Sequence, residues 1–387
     1  MLRYLTAGES HGPGLVATIE GMPAGVSVSA KTIRSELARR RHGYGRGTRM
    51  NLEEDVLEIM GGIRHGRTIG SPIAMIIRNS EWAKWQQIMS IEEEDAVVED
   101  PALTRPRPGH ADLTGMLKYG FADARPVLER ASARETAARV AIGAVCKAFL
   151  TPLGITIASH VVEVGPIRAS EQQLPEPIDL ESIDSTPLRC LDPQAEARMI
   201  EAIDAARKAG DTLGGVFEVV AWGCPPGLGS YVHWDRRIDA CLAQALMSIH
   251  AVKGVEVGPG FEIARTPGSQ AHDEIVWDAE SGYTRYTGRS GGTEGGMTTG
   301  APLRLRVAMK PLASLAKPLD TVDVATHEHA IAITQRSDVS AVPAAGVIGE
   351  AAVAFVLARA AIQKFGGDSL AEVQRNLTGY RDAIKDR

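Results

Sequence analysis

The chain has 387 residues, 44% hydrophobic and 23% charged, with a net charge of −6 and a pI near 6.0. That is an ordinary globular composition, and its negative balance excludes a general attraction to nucleic acid or to an anionic membrane. Aromatics at 5% are too few for a platform that stacks single-stranded bases, and four scattered cysteines, none in a CxxC pair, predict neither a disulfide framework nor a metal site.

The N-terminus has no charged segment leading an apolar core, so no signal peptide is predicted. No run approaches the ~18 apolar residues of a membrane span, and a cytoplasmic protein is expected. Residues 1–28 predict two strands, joined by Gly8-Glu9-Ser10-His11-Gly12 and closed by Pro23 and Gly25. Glycine permits close approach of backbone to ligand and histidine titrates nearest neutrality, so this turn is a candidate ligand site. Its G-x-S-x-G spelling also fits a serine-hydrolase elbow with Ser10 as nucleophile. That elbow needs a helix directly after the serine, whereas Pro13, Gly14 and a β-like apolar run follow.

Ser29 predicts the N-cap of a helix to about Arg41, with Ile33 and Leu37 inward. Residues 34–49 hold six arginines against Glu36, a local charge of about +5 (six minus one). Gly43, Gly45 and Gly47 make the end of this stretch a loop. Glycines interleaved with guanidiniums suit an anionic small molecule; a solvated charged face and a basic RNA-binding segment are the other readings. Strands are predicted at 56–60 and 72–77, the second with Ile73, Met75 and Ile77 in period two. Acid-rich 79–100 reads as a solvated surface insertion. Residues 105–112 form a second basic loop, holding His110, and Asp112 is placed to cap a helix through Tyr119.

The helix predicted at 132–150 is the clearest, because Ala137, Val140, Ala141, Ala144, Val145 and Ala148 fall at helical spacing. Their small size suits an interior layer. A strand at 155–164, a Pro-rich acidic connection at 166–192, a helix at 194–209, a strand at 216–222 and a helix at 235–249 follow. Residues 288–300 contain six glycines in thirteen but lack the Lys-Ser/Thr ending of a P-loop; they lead into a strand at 303–309. The last large helix is predicted at 344–364. No clean linker and no repeat interrupts 1–387, which predicts one α/β domain. The residues alone thus predict an α/β enzyme for a highly anionic small molecule, with His11 and His110 as proton-transfer candidates and no metal. They leave the reaction type open.

Several motifs in one order resemble the chorismate synthase family. They are the 8–12 turn, Arg39-Arg40-Arg41 to Gly45-Arg46-Gly47, Arg107 to Asp112, Arg134 to Arg139, His250 to Glu256, Ser290-Gly291-Gly292 with Gly295-Gly296, Lys310-Pro311, and Arg336-Ser337-Asp338. The resemblance implies an α+β fold, a β–α–β sandwich with helices between two antiparallel sheets, and a homotetramer. It implies a carbon–oxygen lyase that removes phosphate from 5-enolpyruvylshikimate-3-phosphate by 1,4-elimination with reduced FMN, giving chorismate for aromatic amino acids. By the resemblance, His11 protonates departing phosphate, His110 gives a proton to the reduced flavin, and Asp338 assists proton removal. Ser10, Arg40, Arg46, Arg49 and Arg134 match substrate positions. Arg130, Ala131, Ser132, His250, Ala251, Gly295, Lys310, Pro311, Leu312, Ala313, Ser314 and Arg336 match flavin positions. The positions of Arg40 and Arg46 are also those offered to NADPH as a reductant, in competition with substrate; a separate flavin reductase is the other source. The stretch 79–100 is longer than in the shorter bacterial members and receives no role.

Overall fold

Apolar residues alternating along short strands build the first of the two larger sheets. The computed structural model describes residues 1–47, 55–92, 101–170, 175–176, 180–279, 282–334 and 338–385. Strands β1 (Arg3–Ala7), β2 (Gly14–Glu20), β3 (Val56–Gly61) and β4 (Ile73–Arg78) pair in the order β1-β2-β4-β3, each neighbour antiparallel. Leu15, Ala17 and Ile19 of β2 and Ile73, Met75 and Ile77 of β4 turn one face inward, as the two-residue period of a strand requires.

The second sheet combines β5 (Thr156–Val164), β6 (Ile167–Arg168), β7 (Gly215–Trp222), β8 (Val252–Val257) and β9 (Leu303–Met309) in the order β8-β9-β7-β5-β6, again antiparallel. Leu303, Leu305 and Val307 face the core. Arg304 and Arg306 on the other face donate to the buried Glu218 carboxylate of β7 at 2.9 and 3.2 Å.

Helices fill the space between the sheets. Helix α1 (Ala30–Arg41) starts where the Ser29 hydroxyl accepts the Thr32 N–H, and Ile33 and Leu37 are its buried face. The short helices α2 (Trp82–Trp85), α3 (Asp112–Tyr119) and α4 (Arg125–Arg130) lie in the loops. Helix α5 (Thr136–Leu150) rests on the first sheet, chiefly on β2. Helix α6 (Pro193–Ala209) is capped by Asp192 and ends at the left-handed Gly210. Helices α7 (Ile238–Met247) and α8 (Val342–Phe365) complete the layer, and α8 lies on β5 and β7. A final helix, α9 (Leu370–Lys385), packs Val373 and Leu377 inward.

Helices α5 and α8 cross so closely that a Cβ on Gly143 would lie 2.2 Å from the Ala351 Cβ. The expected sandwich is therefore the observed fold, and the small-residue helix lies in its middle. The segments 125–153 and 342–365 are long and apolar enough to cross a membrane, contrary to the sequence expectation, but both are largely buried between the sheets. Three further differences stand out. Asp112 is the first residue of α3 rather than its cap. The 166–192 connection contributes β6 and a short helix, Leu180–Ser185. Helix α9 was not expected.

Inside the layer, Glu350 of α8 is fully buried and accepts from Arg39 at 2.7 Å, Lys147 at 2.6 Å, Arg189 at 2.9 Å and Ser159 at 2.7 Å. Burial acts to raise its pKa, but Arg39, Lys147 and Arg189 together outweigh burial and hold it well below the usual carboxylate range. This network pins the last turn of α1, from which the arginine loop departs.

Candidate active site

The turn between β1 and β2 has little room for side chains. Gly8 sits at φ 102°, and a Cβ there would lie 2.3 Å from the Gly14 carbonyl oxygen. Asn79 ties the turn from behind, donating to the carbonyls of Glu9 at 3.1 Å and Gly12 at 2.7 Å. The backbone N–H of Ser10 donates to the Glu129 carbonyl at 3.1 Å. The His11 N–H donates to the Glu129 carboxylate at 2.8 Å, and His11 Nδ1 lies 2.8 Å from the other carboxylate oxygen. Trp85 of α2 stacks on the His11 ring with centroids 4.0 Å apart, and the Arg125 guanidinium lies 5.8 Å from the Trp85 ring centre.

Beside this turn the arginines converge on one carboxylate. Arg134 donates to Asn79 Oδ1 at 2.9 Å, to the Arg78 carbonyl at 3.2 Å and to Asp55. Arg40 and Arg41 approach the same Asp55 at 3.5 and 3.8 Å. Burial would raise the Asp55 pKa, yet Arg40 and Arg134, with Arg41, outweigh it and lower it. Among the described residues, three guanidiniums thus meet at one carboxylate, a cluster of donors suited to phosphate and carboxylate. The Ser132 hydroxyl donates to Ser10 Oγ at 3.1 Å. Since His11 is bonded to Glu129 rather than to Ser10, and the turn joins two strands, the geometry of a nucleophile elbow is missing.

A second histidine has a different setting. His110 Nδ1 bonds the buried Asp112 carboxylate, which also accepts from the Arg107 backbone N–H at 3.1 Å and its side chain at 2.8 Å. Burial would raise the Asp112 pKa, but hydrogen bonds from His110 and Arg107 bring it far below the usual range. Arg107 also donates to Ser314 Oγ at 2.8 Å, and Lys310 Nζ donates to the Gly109 carbonyl at 2.8 Å. The segment of Lys310, Pro311, Leu312, Ala313 and Ser314, which leaves the end of β9, therefore backs the His110 loop. Burial and then neighbouring Lys253 lower the Lys310 pKa.

His250 connects the two histidine settings. It is half-buried, and its buried Nδ1 has no hydrogen-bond partner among the described residues. Its pKa is lowered mainly by burial, against the pull of Glu135 and with the charges of Arg139, His110 and Arg130, so these groups share one neighbourhood. The next residue, Ala251, is held at φ 64°, a left-handed conformation uncommon for alanine, and its carbonyl accepts the Lys310 N–H. Glu135 accepts from Thr6 at 2.7 Å and Arg139 at 2.9 Å. Arg130 donates to the carbonyls of Gly8 and Thr6 at 3.2 and 3.3 Å, which places Arg130, Ala131 and Ser132 against the turn.

Other predicted residues are placed differently. Arg46 pairs with Asp338 at 2.7 Å, and the Gly47 N–H donates to Asp338 at 2.6 Å. A residue expected on substrate and one expected in proton removal are thus bonded to each other. Gly295 lies in a hairpin, Thr293–Glu294 with Met297–Thr298, packed at the start of α7, and no hydrogen bond among the described residues joins it to His11. Arg49 and Arg336 lie outside the described residues. Sequence reading missed Glu129, Asp55, Asn79 and Trp85, and gave Arg107 no role although it opens a recognised motif; Glu129 stood beside a recognised position, whereas Asn79 and Trp85 lay in the stretch given no role. A cleft of about 510 Å³ beside Arg168, Asp192, Arg198 and Glu262 holds none of these residues and mixes its charges, so we take the His11 cluster as the candidate site.

Residues 2–362 match the sequence model of a family described as chorismate synthase. Chorismate synthase of Leifsonia xyli subsp. xyli is 62% identical, over 99% of this chain and 96% of that protein. Chorismate synthase of Salinispora tropica is 60% identical, over 99% of each. A crystal structure of a chorismate synthase matches with a TM-score of 0.80 and 43% identity, covering 100% of this chain and 99% of that one.

Proposed function

The chain belongs to the chorismate synthase family, and from that premise we propose that it acts as a lyase, eliminating phosphate from 5-enolpyruvylshikimate-3-phosphate with reduced FMN. The observation that carries this reading is the convergence of Arg40, Arg41 and Arg134 on Asp55 beside the Ser10-His11 turn. The substrate carries a phosphate and two carboxylates, and a cluster of guanidinium donors is what binding it requires.

The residues present fit the flavin. The buried Nδ1 of His250, which bonds no described residue, is a polar atom that a cofactor could engage, and Lys310 and Arg130 supply charge nearby. When bound, reduced FMN supplies electron density that eases cleavage of the C–O bond. Arg130, Ala131, Ser132, His250, Ala251, Gly295, residues 310–314 and Arg336 would hold it. His110 keeps its proton toward the cofactor wall, oriented by Asp112. Arg40 and Arg134, with Ser10 and Arg49, bind the substrate anions. His11 delivers a proton to the phosphate oxygen as the C–O bond breaks, and the C6 hydrogen is lost toward the Asp338 side, where Arg46 fixes the carboxylate. NADPH at Arg40 and Arg46 would compete with substrate.

We also propose that residues 1–387 form one domain, since a continuous core joins both sheets and all the long helices. A homotetramer is supported by large apolar side chains left exposed, including Tyr231, Trp234, Phe261, Trp277 and Tyr286. Four free cysteines suit a reducing, cytoplasmic setting. Anaerobic incubation with dithionite-reduced FMN and the substrate tests the reaction. Chorismate absorbance with equimolar phosphate is expected; absence of product refutes the reading.

A further inference from the structure

The two histidines are held by carboxylates with different company. Asp112 serves His110 and the Arg107 guanidinium together. Glu129, whose side chain is only 1% exposed, pairs among the described residues with His11 and no other charged group: its carboxylate accepts the His11 backbone N–H and lies 2.8 and 3.0 Å from Nδ1. An ionised carboxylate taken out of water needs a countercharge. From this geometry we propose that Glu129 is a positioning residue that holds His11 as the imidazolium, its Nδ1–H fixed on the carboxylate and its Nε2–H presented to the leaving group.

The surroundings agree with that assignment. The carboxylate only accepts, so the hydrogen between it and Nδ1 belongs to the ring. That leaves Nε2, which bonds no described residue, as the atom able to deliver a proton. Trp85 covers one ring face, and an aromatic face favours a cation. Arg125, whose guanidinium contacts Trp85, opposes the cation. Ser10 and Ser132 are neutral, and the Arg134 guanidinium is engaged by Asn79 and Asp55. When His11 gives up its Nε2 proton to phosphate it becomes neutral, and Glu129 is left with a neutral donor. The pair then favours recovery of the proton from water before the next turnover.

This inference rests on the proposed role of His11, and its test has a readout independent of turnover. His11 is titrated by NMR in protein labelled with ¹⁵N-histidine, using His11→Asn to assign the signals, in wild type and in Glu129→Gln. Glutamine keeps the bond to the backbone N–H and loses the charge. The titration midpoint of His11 is expected to fall by about 1–3 pH units, the range of a lost opposite charge at this distance. The basic limb of the kcat/KM profile should move to lower pH with it. Glu129→Asp should restore much of both; Glu129→Ala, which also removes the charge, is the variant to titrate if Glu129→Gln does not fold. An unchanged midpoint in the variant titrated overturns the proposal, as does a fallen rate with an unmoved pH profile, which would mark Glu129 as a brace for the turn alone. If the midpoint moves but His11→Asn turns over normally, the fault lies in the role given to His11.

Discussion

His110 and Asp112 stand two residues apart, at the start of α3, and the carboxylate orients the ring while Arg107 steadies the carboxylate. Removing the ring takes away a proton donor without opening the core, because His110 is in a half-buried loop. His110→Ala should therefore keep its thermal unfolding midpoint and lose turnover by roughly 10²–10⁴-fold, the usual worth of a general acid. Steady-state kinetics beside a melting curve checks both halves. At this scale the sequence disclosed residues that carry their own signal. Ser10 and His11 were legible because glycines flank them, and Arg40 because guanidiniums and glycines interleave. Glu129 and Asp55 were not, since a lone acid acquires meaning only from the distant partner that folding brings to it. Trp85 was hidden for the same reason, in a stretch whose acids spoke for solvent.

The elements were legible where one local rule decided them. Ser29 caps α1, Ile73, Met75 and Ile77 alternate in β4, and the alanines of α5 recur at helical spacing. Helix α9 escaped because Gly366 and Gly367 precede it and only Val373 and Leu377 of its sixteen residues are buried, too thin a stripe to read. The packing of α5 on α8 was also beyond the sequence, although the small residues hinted at it. Gly143 is its tightest point, with a helical backbone that any residue adopts but no space for a side chain. Gly143→Val should thus destabilise by overpacking, about 1–3 kcal/mol, and cost activity only through loss of folded protein. Urea unfolding followed by circular dichroism measures it, and a stability equal to wild type would contradict the crossing.

Across the whole molecule, a buried charge network connects the core to the site. Glu350 links α8 to Arg39 of α1, Lys147 of α5 and Arg189, and α1 delivers Arg40 and Arg41 to Asp55. Glu350→Gln would leave three cations around a neutral group, and a loss of about 3–5 kcal/mol is expected, as when one partner of a buried pair is removed. The sign with pH follows from the lowered pKa values of Glu350 and Asp55. Below the ordinary carboxylate range, about pH 4, the unfolded chain binds more protons than the folded one, so stability present above that range is lost on acidification. Urea midpoints between pH 7 and pH 3 should fall steeply for wild type and less for Glu350→Gln; parallel curves would contradict the assignment. That two sheets and an inner helical layer bring separate loops to one site is a property of the assembled fold, which motif order could imply only through resemblance.

The most direct measurement is phosphate release in a single anaerobic turnover with dithionite-reduced FMN, comparing wild type with His11→Ala at saturating substrate. If the arginine cluster holds the phosphate and His11 protonates it, the variant should bind substrate with little change and release phosphate roughly 10²–10⁴-fold more slowly. A burst of phosphate as fast as wild type would contradict the account.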